Sequence, residues 1–293
     1  MNRAVGPGDA PALNVSSEEA LLMPVIRRYP SAVIAYSGGV DSTVVAVAAH
    51  RALGERMLAV TGDSPSVARS ELESAQRIAE ETGFPWLAVP THELADARYQ
   101  ANDGTRCYFC KSELYGVLDE IRNQRGFSVV MDGFNQDDLG DFRPGLKAGQ
   151  EHQVVSPLKE AGLGKDSVRR LARAWGLSNW DKPASPCLSS RIPYHTPVTV
   201  ERLQQVEAAE DALHHLGFRQ VRVRHHGPLA RIEVPIEDLS WVLRERDTIL
   251  RALKQVGYQF VSLDLEGLKS GSLNALITAP SPSSASPQEN AND

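Results

Sequence analysis

Two groups of residues in this chain are of a type and spacing that could do chemistry. The first is Ser37-Gly38-Gly39-Val40-Asp41-Ser42-Thr43, which follows the apolar run Ala32–Tyr36 and leads into a helical pattern from Val44 to Leu53. A strand that turns tightly into a helix presents unbonded N–H groups at the positive end of the helix dipole, where an anion settles. Gly38 and Gly39 let the backbone pass close to that anion, and Ser37, Ser42 and Thr43 add hydroxyl donors. No lysine follows the glycines, so this is not the loop that grips β- and γ-phosphates through a Walker lysine. The second group is Cys107-Tyr108-Phe109-Cys110 with Cys187 far along the chain. A C-x-x-C at or near a helix start places two thiols one turn apart, able to share a metal centre. The residues alone leave three other readings open: buried small hydrophobes, a redox pair, or a structural zinc completed by His92 or His195. A redox pair leaves Cys187 unexplained, and zinc needs a fourth ligand that no nearby motif supplies.

Further candidates lie at Asp132-Gly133-Phe134-Asn135-Gln136-Asp137-Asp138 and on to Asp141-Phe142-Arg143. Carboxylates just beyond a strand's carboxyl end are placed to hold Mg²⁺ or a ribose, and Arg143 suits a phosphate or carboxylate. Arg222 and Arg224 share one face of a strand while Val221 and Val223 take the other. With Ser190 and Arg191 they could cradle a phosphate, or form an exposed basic strand face. Lys165 and Arg169 read as a solvated helix face, and His50, His214 and His215 as surface or core residues.

The elements that must position these groups are read from periodicity. Ala32–Tyr36, Met57–Thr61, Trp86–Pro90 and Ser128–Met131 read as buried strands, with helices at Ser66–Thr82 and Ser112–Gln124 between them. That alternation implies an α/β fold with a doubly wound parallel sheet and ligands at the carboxyl ends of its strands. From Asp141 to Pro197 the pattern is irregular, with one helix at Asp166–Trp175. Helices at Val200–Leu216 and Ile236–Val256 then flank strands at Arg219–Arg224 and Ala230–Val234, and a strand at Gln259–Leu265 follows. We therefore expect a flexible tail at 1–17, a nucleotide domain at 18–195, a small α+β domain for substrate or oligomerisation at 196–276, and a disordered low-complexity tail at 277–293.

With 293 residues the chain is long enough for two cores. A net charge of −6 argues against a broad nucleic-acid surface, and no apolar run is long enough to span a bilayer. The N-terminus lacks a charged-then-apolar signal pattern, so a cytoplasmic chain is expected, and three cysteines there read as ligands or reactive thiols.

The glycine turn resembles the SGGxDS pyrophosphate loop of enzymes that adenylylate a substrate. More specifically, the chain resembles the LarE family, ATP-dependent sulfur transferases that mature the nickel-pincer cofactor of lactate racemase. The resemblance covers about residues 20–275. It rests on SGGVDST (37–43), DGFNQDDLGDFRPG (132–145), SPLKEAGLGKDSVRRLA (156–172), WDKPASPCLSSRIPY (180–194) and DLEGLKSGSLN (264–274). It implies ATP and Mg²⁺, adenylylation of a carboxylate of a pyridinium-dicarboxylate mononucleotide, conversion to a thiocarboxylate, and a homo-oligomer. Partners would be that small molecule, a sulfur donor and other enzymes of the cofactor's synthesis. Cys187 matches the family's sulfur-handling cysteine, which in one class is sacrificed to dehydroalanine. In another class three cysteines hold a [4Fe–4S] cluster, and Cys107, Cys110 and Cys187 match that inventory. In such enzymes arginines matching Arg222 and Arg224 lie near a phosphate site. The chain departs from the family at His195, where Gly is usual, and at Ala275, where Glu is usual. Rival readings are a tRNA thiolase, an NAD synthetase-like amidotransferase and a nucleotide-sensing module with a structural metal.

Overall fold

The computed structural model describes residues 15–140 and 144–269. They fall into two compact units, one holding the chain to Tyr99 and Thr105–Cys187, the other holding Gln100–Gly104 and the chain from Leu188.

In the first unit, strands β1 (Ala32–Ala35), β2 (Met57–Asp63), β3 (Trp86–Pro90) and β4 (Val129–Met131) form one sheet in the order β3-β2-β1-β4. All its pairs are parallel. A parallel sheet needs crossovers, and they come from α2 (Val40–Leu53) and α3 (Arg69–Thr82), then, past the single turn α4 (Ala97–Gln100), from α5 (Arg106–Arg125). Every residue of β1 is buried, as a central strand covered on both faces must be. Helix α2 is buried on nearly all sides because its run Val44–Ala49 is made of small residues that let neighbours approach.

Two stretches are more ordered than the periodicity implies. Helix α1 (Val15–Arg27) begins inside the expected tail and buries Leu22, Met23 and Ile26. Its Glu18 accepts a hydrogen bond from Arg170 at 2.9 Å, on α8 (Lys165–Ala174). The region read as irregular adds α6 (Pro144–Glu151), α7 (Pro157–Glu160) and a 3₁₀ turn at Leu188–Arg191. The expected tail at 277–293 and Ala275 lie outside the described residues.

The second unit packs α9 (Val200–His215), α10 (Leu239–Arg244) and α11 (Arg246–Gln255) with a sheet of β5 (Arg222–His226), β6 (Leu229–Glu233) and β7 (Phe260–Leu263). Strands β5 and β6 are antiparallel, and β6 and β7 parallel. The helix expected over Ile236–Val256 is broken into a 3₁₀ turn and two helices, its backbone leaving helical geometry at Glu245. The chain enters this unit after Cys187 rather than after 195, because Asn102 draws the intervening loop to itself. Its amide donates to the carbonyls of Pro193 and Thr196 at 2.8 and 2.9 Å, and its carbonyl accepts from His195 N at 3.0 Å. Among the described residues no helix is long and apolar enough to cross a membrane.

His195 stands at φ +65°, in the left-handed region that favours glycine. That accounts for its being a departure: a Cβ there strains the backbone that Gly would relax. His195→Gly is expected to stabilise the protein by about 1 kcal/mol, the left-handed penalty less the entropy cost of glycine. Chemical denaturation of the two forms measures the difference; equal midpoints would show that the loop relieves the strain elsewhere.

Candidate active site

Sheet order reverses between β1 and β4, which opens a crevice at their carboxyl ends. The glycine turn follows β1 and the Asp132–Asp138 run follows β4, so this topology puts the two motifs side by side. Gly38 has φ +71°, and a Cβ on it would lie 2.9 Å from the Ala75 Cβ of α3. Gly133 is tighter: its Cβ would meet Ser42 N at 2.7 Å. Only a glycine lets the chain leaving β4 run directly against the first turn of α2.

Within the turn, Ser42 Oγ donates to Gly39 O at 3.1 Å and Thr43 Oγ1 to the same carbonyl at 2.8 Å. Ser37 N donates to Ser42 Oγ at 3.2 Å. Asn135 donates to Asp41 at 3.1 Å, tying the two motifs together. Burial pushes the Asp41 carboxyl above its ordinary range and the charge of Asp138 adds to this, against the bond from Asn135. Asp132 is likewise raised by burial, partly offset by hydrogen bonds from Ser156 and Tyr115 and by the charge of Lys111. Ser37, Gly39, Asp41, Ser42, Asp132 and Asp138 line a cavity of about 460 Å³, within the range of small-ligand sites. Lys165 and Arg169 are more than a solvated face: Lys165 pairs with Asp138 at 3.7 Å, and Arg169 donates to Lys182 O at 3.1 Å.

Cys107 and Cys110 stand in the first turn of α5, and Cys107 lines the same cavity with Lys111. No disulfide joins any of the three cysteines. Although Cys107 is open to water as a residue, the crevice around its thiol desolvates it and raises it above the ordinary thiol range. Burial raises Cys110 strongly as well, and in both cases the thiol of Cys187 is the next cause. The sulfur of Cys187 is therefore within electrostatic reach of the other two and opposes the ionisation of both. Arg143 lies outside the described residues.

The remaining sequence candidates, Ser190, Arg191, Arg222 and Arg224, belong to the second unit. Here the expectation of an exposed basic face is corrected, since all three arginines are buried. Arg191 forms a two-bond pair with Glu210 at 2.9 and 3.0 Å, and Arg224 pairs with Glu233 at 2.7 Å. Ser190 accepts from Arg191 through its hydroxyl and from Arg224 through its carbonyl. Arg222 donates to Lys269 O at 3.1 Å. Desolvation lowers its pKa, and the charges of Arg191 and Arg224 lower it further. Arg231 also pairs with Glu233, and with Asp264.

Comparison with known proteins turns this geometry into a family. Residues 21–113 match the family model described as NAD synthase. A pyridinium-3,5-bisthiocarboxylic acid mononucleotide synthase of Lactiplantibacillus plantarum is 37% identical over 265 residues, 90% of this chain and 96% of that one. The chain belongs to the LarE family. It is an enzyme of the α/β pyrophosphate-loop class. An uncharacterised protein of Synechocystis sp. is 47% identical over 249 residues, 84% of this chain and 93% of its own length. The B subunit of a GMP synthase from Archaeoglobus fulgidus is 27% identical over 183 residues, 59% of this chain and 57% of that one.

Two residues of this LarE-family site escape sequence reasoning. Lys111 follows the C-x-x-C directly, and its ammonium lies 5.4 and 5.9 Å from the ring centres of Tyr115 and Phe134. Its position one turn beyond Cys107 was the available signal. Asn179 donates to Gly38 O at 3.1 Å and to Thr43 Oγ1 at 2.9 Å, and nothing in its local sequence announces that.

Asp132 holds its proton more tightly folded than unfolded, so its ionisation weakens the fold as pH rises through the folded pKa. Below the ordinary carboxylate range both states are protonated and the cost disappears. Asp132→Asn should therefore be more stable than wild type at pH 8 by about 1 kcal/mol, as is common when a functional charge is removed. The gain should shrink as pH falls toward 4. Urea unfolding at several pH values checks this; a gain independent of pH would count against a buried carboxylate.

Proposed function

We propose that the enzyme uses ATP to adenylylate a carboxylate of pyridinium-3,5-biscarboxylic acid mononucleotide and converts it to a thiocarboxylate for nickel-pincer cofactor synthesis. The observation that carries this reading is the crevice itself. An anion-binding turn, buried carboxylates and the Cys107 thiol line one cavity, in a chain whose family includes a synthase of the bisthiocarboxylic product. The NAD synthase match, ending at residue 113, supports the nucleotide half of the chemistry.

The turn at 37–43 holds the phosphates through its N–H groups and hydroxyls, and Ser37, Gly38, Gly39, Ser42 and Thr43 keep pyrophosphate in place as it leaves. Among the described residues no group of three or more histidine, cysteine or acidic side chains could hold a metal ion by itself. Mg²⁺ is commonly held by one or two carboxylates together with substrate phosphates, so it would arrive with the nucleotide on Asp41, Asp138 and Asp132. A cation held there would screen the phosphates and offset the burial and the Asp138 charge that raise Asp41. Asn135 keeps Asp41 turned toward that position. Arg143 would face the nucleotide's phosphate or the substrate carboxylate.

The substrate carboxylate attacks the α-phosphorus, and pyrophosphate departs. Sulfur delivered at Cys187 then adds to the acyl carbon, and AMP leaves with the bonding electrons. The three thiols suit a [4Fe–4S] cluster in kind: burial and the charge of Cys187 hold Cys107 and Cys110 back from ionising, a cost that iron coordination would remove. A cluster bound at Cys107, Cys110 and Cys187 would supply sulfide and leave the protein's own sulfur intact. Ser190, Arg191, Arg222 and Arg224 take the mononucleotide phosphate, for which three neighbouring guanidiniums, with the Ser190 hydroxyl, are the attraction. We place the reaction in the cytoplasm, in a homo-oligomer, the 18–195 and 196–276 regions serving nucleotide and substrate respectively.

Wild-type protein with ATP and the mononucleotide should release AMP and pyrophosphate; ADP and inorganic phosphate would sink the reading. Each cysteine-to-alanine variant should lose iron, labile sulfide and sulfur transfer together while still releasing pyrophosphate. A dehydroalanine at Cys187 in active, iron-free protein, seen by intact mass, would instead show that the cysteine is consumed. Arg222→Met should weaken mononucleotide binding by about tenfold and leave ATP binding unchanged, the loss expected of one charge-assisted bond. Calorimetric titration of both ligands measures this.

A further inference from the structure

Cys187 is carried on an arm whose root is bonded to the anion turn. Asn179 is 5% exposed and its amide reaches both ends of the turn, Gly38 O and Thr43 Oγ1. Its orientation is fixed chemically. Gly38 O can only accept, and the Thr43 hydroxyl already gives its hydrogen to Gly39 O, so both need the NH₂ side of Asn179. Its Oδ1 is left buried with no hydrogen-bond donor, a cost that the fold accepts to keep this orientation.

Beyond Asn179 the chain turns, with Lys182 N donating to Asn179 O at 3.0 Å. Lys182 is clamped to α3 by Glu71 at 2.7 Å. From Pro183 to Pro186 every residue is exposed and none is in a regular element, and Cys187 follows. The arm is thus held at its root, at the turn, and at Lys182.

We propose that Asn179 is a positioning residue that couples occupancy of the 37–43 turn to the arm carrying Cys187. An anion on the turn draws the N–H groups and hydroxyls of residues 37–43 toward itself, and the only side chain holding both ends of the turn from the arm is Asn179 among the described residues. Pyrophosphate bound or departing is thereby felt at residues 180–187, so that sulfur is presented in step with adenylylation. This rests on the reading of 37–43 as the pyrophosphate site.

Hydrogen exchange on the full chain, with and without pyrophosphate alone, tests it. In wild type the peptide covering 36–44 should be protected, and the amides of Asp181, Lys182, Ala184, Ser185 and Cys187 should slow by about threefold. In Asn179→Ala the 36–44 peptide should still be protected while the 180–187 response disappears. Lys182→Met, which frees the arm from α3 but not from the turn, should keep it. Should Asn179→Ala fold poorly, Asn179→Leu, which fills the space of the amide but has no N–H to give Gly38 O or Thr43 Oγ1, should also lose the response. With the full reaction, Asn179→Ala should yield about tenfold less thiocarboxylate per pyrophosphate released, a ratio that a general loss of stability would not move. No protection of 36–44 in wild type overturns the anion site itself. Protection of 36–44 without a response at 180–187, or a response that survives in Asn179→Ala or vanishes in Lys182→Met, overturns the coupling alone.

Discussion

The backbone of Gly133 runs against the first turn of α2, with no room for a side chain between them. That contact is the constraint on which the site depends. It exists because β4 joins the sheet beside β1 rather than beyond β3, so the chain leaving β4 and the turn leaving β1 emerge at neighbouring points. Once the two backbones touch, Asn135 can reach Asp41, Asp138 comes within electrostatic range, and a cavity is left over the turn. Gly38, forced into the left-handed region and against Ala75, sets the same turn from the other side.

Holding charges in such a place costs stability. Asp41 and Asp132 are both pushed toward their protonated forms by burial, and the thiols of α5 are held back from ionising. Functional sites commonly keep groups in states that the fold alone would not choose. The second unit shows the same pattern with the opposite sign. Arg191 and Arg224 are neutralised by buried glutamates, and removing one partner from such a pair typically costs about 3–5 kcal/mol. Glu210 also accepts from Val223 N at 2.9 Å, a bond that holds β5 to α9. Arg222 differs in that desolvation, and then its like-charged neighbours Arg191 and Arg224, lower its pKa.

Much of this was legible along the chain because it depends on neighbours in sequence. The four strands of the parallel sheet read as short apolar runs, since a strand buried on both faces must be apolar throughout. The glycine turn announced itself through residue types that few other conformations need, and C-x-x-C spacing on a helix places two thiols one turn apart wherever that helix lies. Boundaries were softer. Helix α5 starts at Arg106 rather than Ser112, and the helix read over Ile236–Val256 breaks at Glu245. The start of α1 was taken for tail because its Gly/Pro/Ala-rich approach hides the contact that anchors it, from Glu18 to Arg170, a residue 152 positions away.

What the sequence by itself determined was the set of local conformations and the chemistry each motif carries: strand, tight turn, helix start, thiols, carboxylates. Which of these meet was decided by tertiary structure, because partners distant along the chain leave no periodic trace. Asn179 finds Gly38 and Thr43 across 141 and 136 residues. The arginines of β5 alternate with valines as an exposed strand face would, yet the buried Glu210 and Glu233 turn that face inward. Periodicity reports that one side of a strand differs from the other; only the carboxylates brought against it decide whether its charged side is solvated or enclosed.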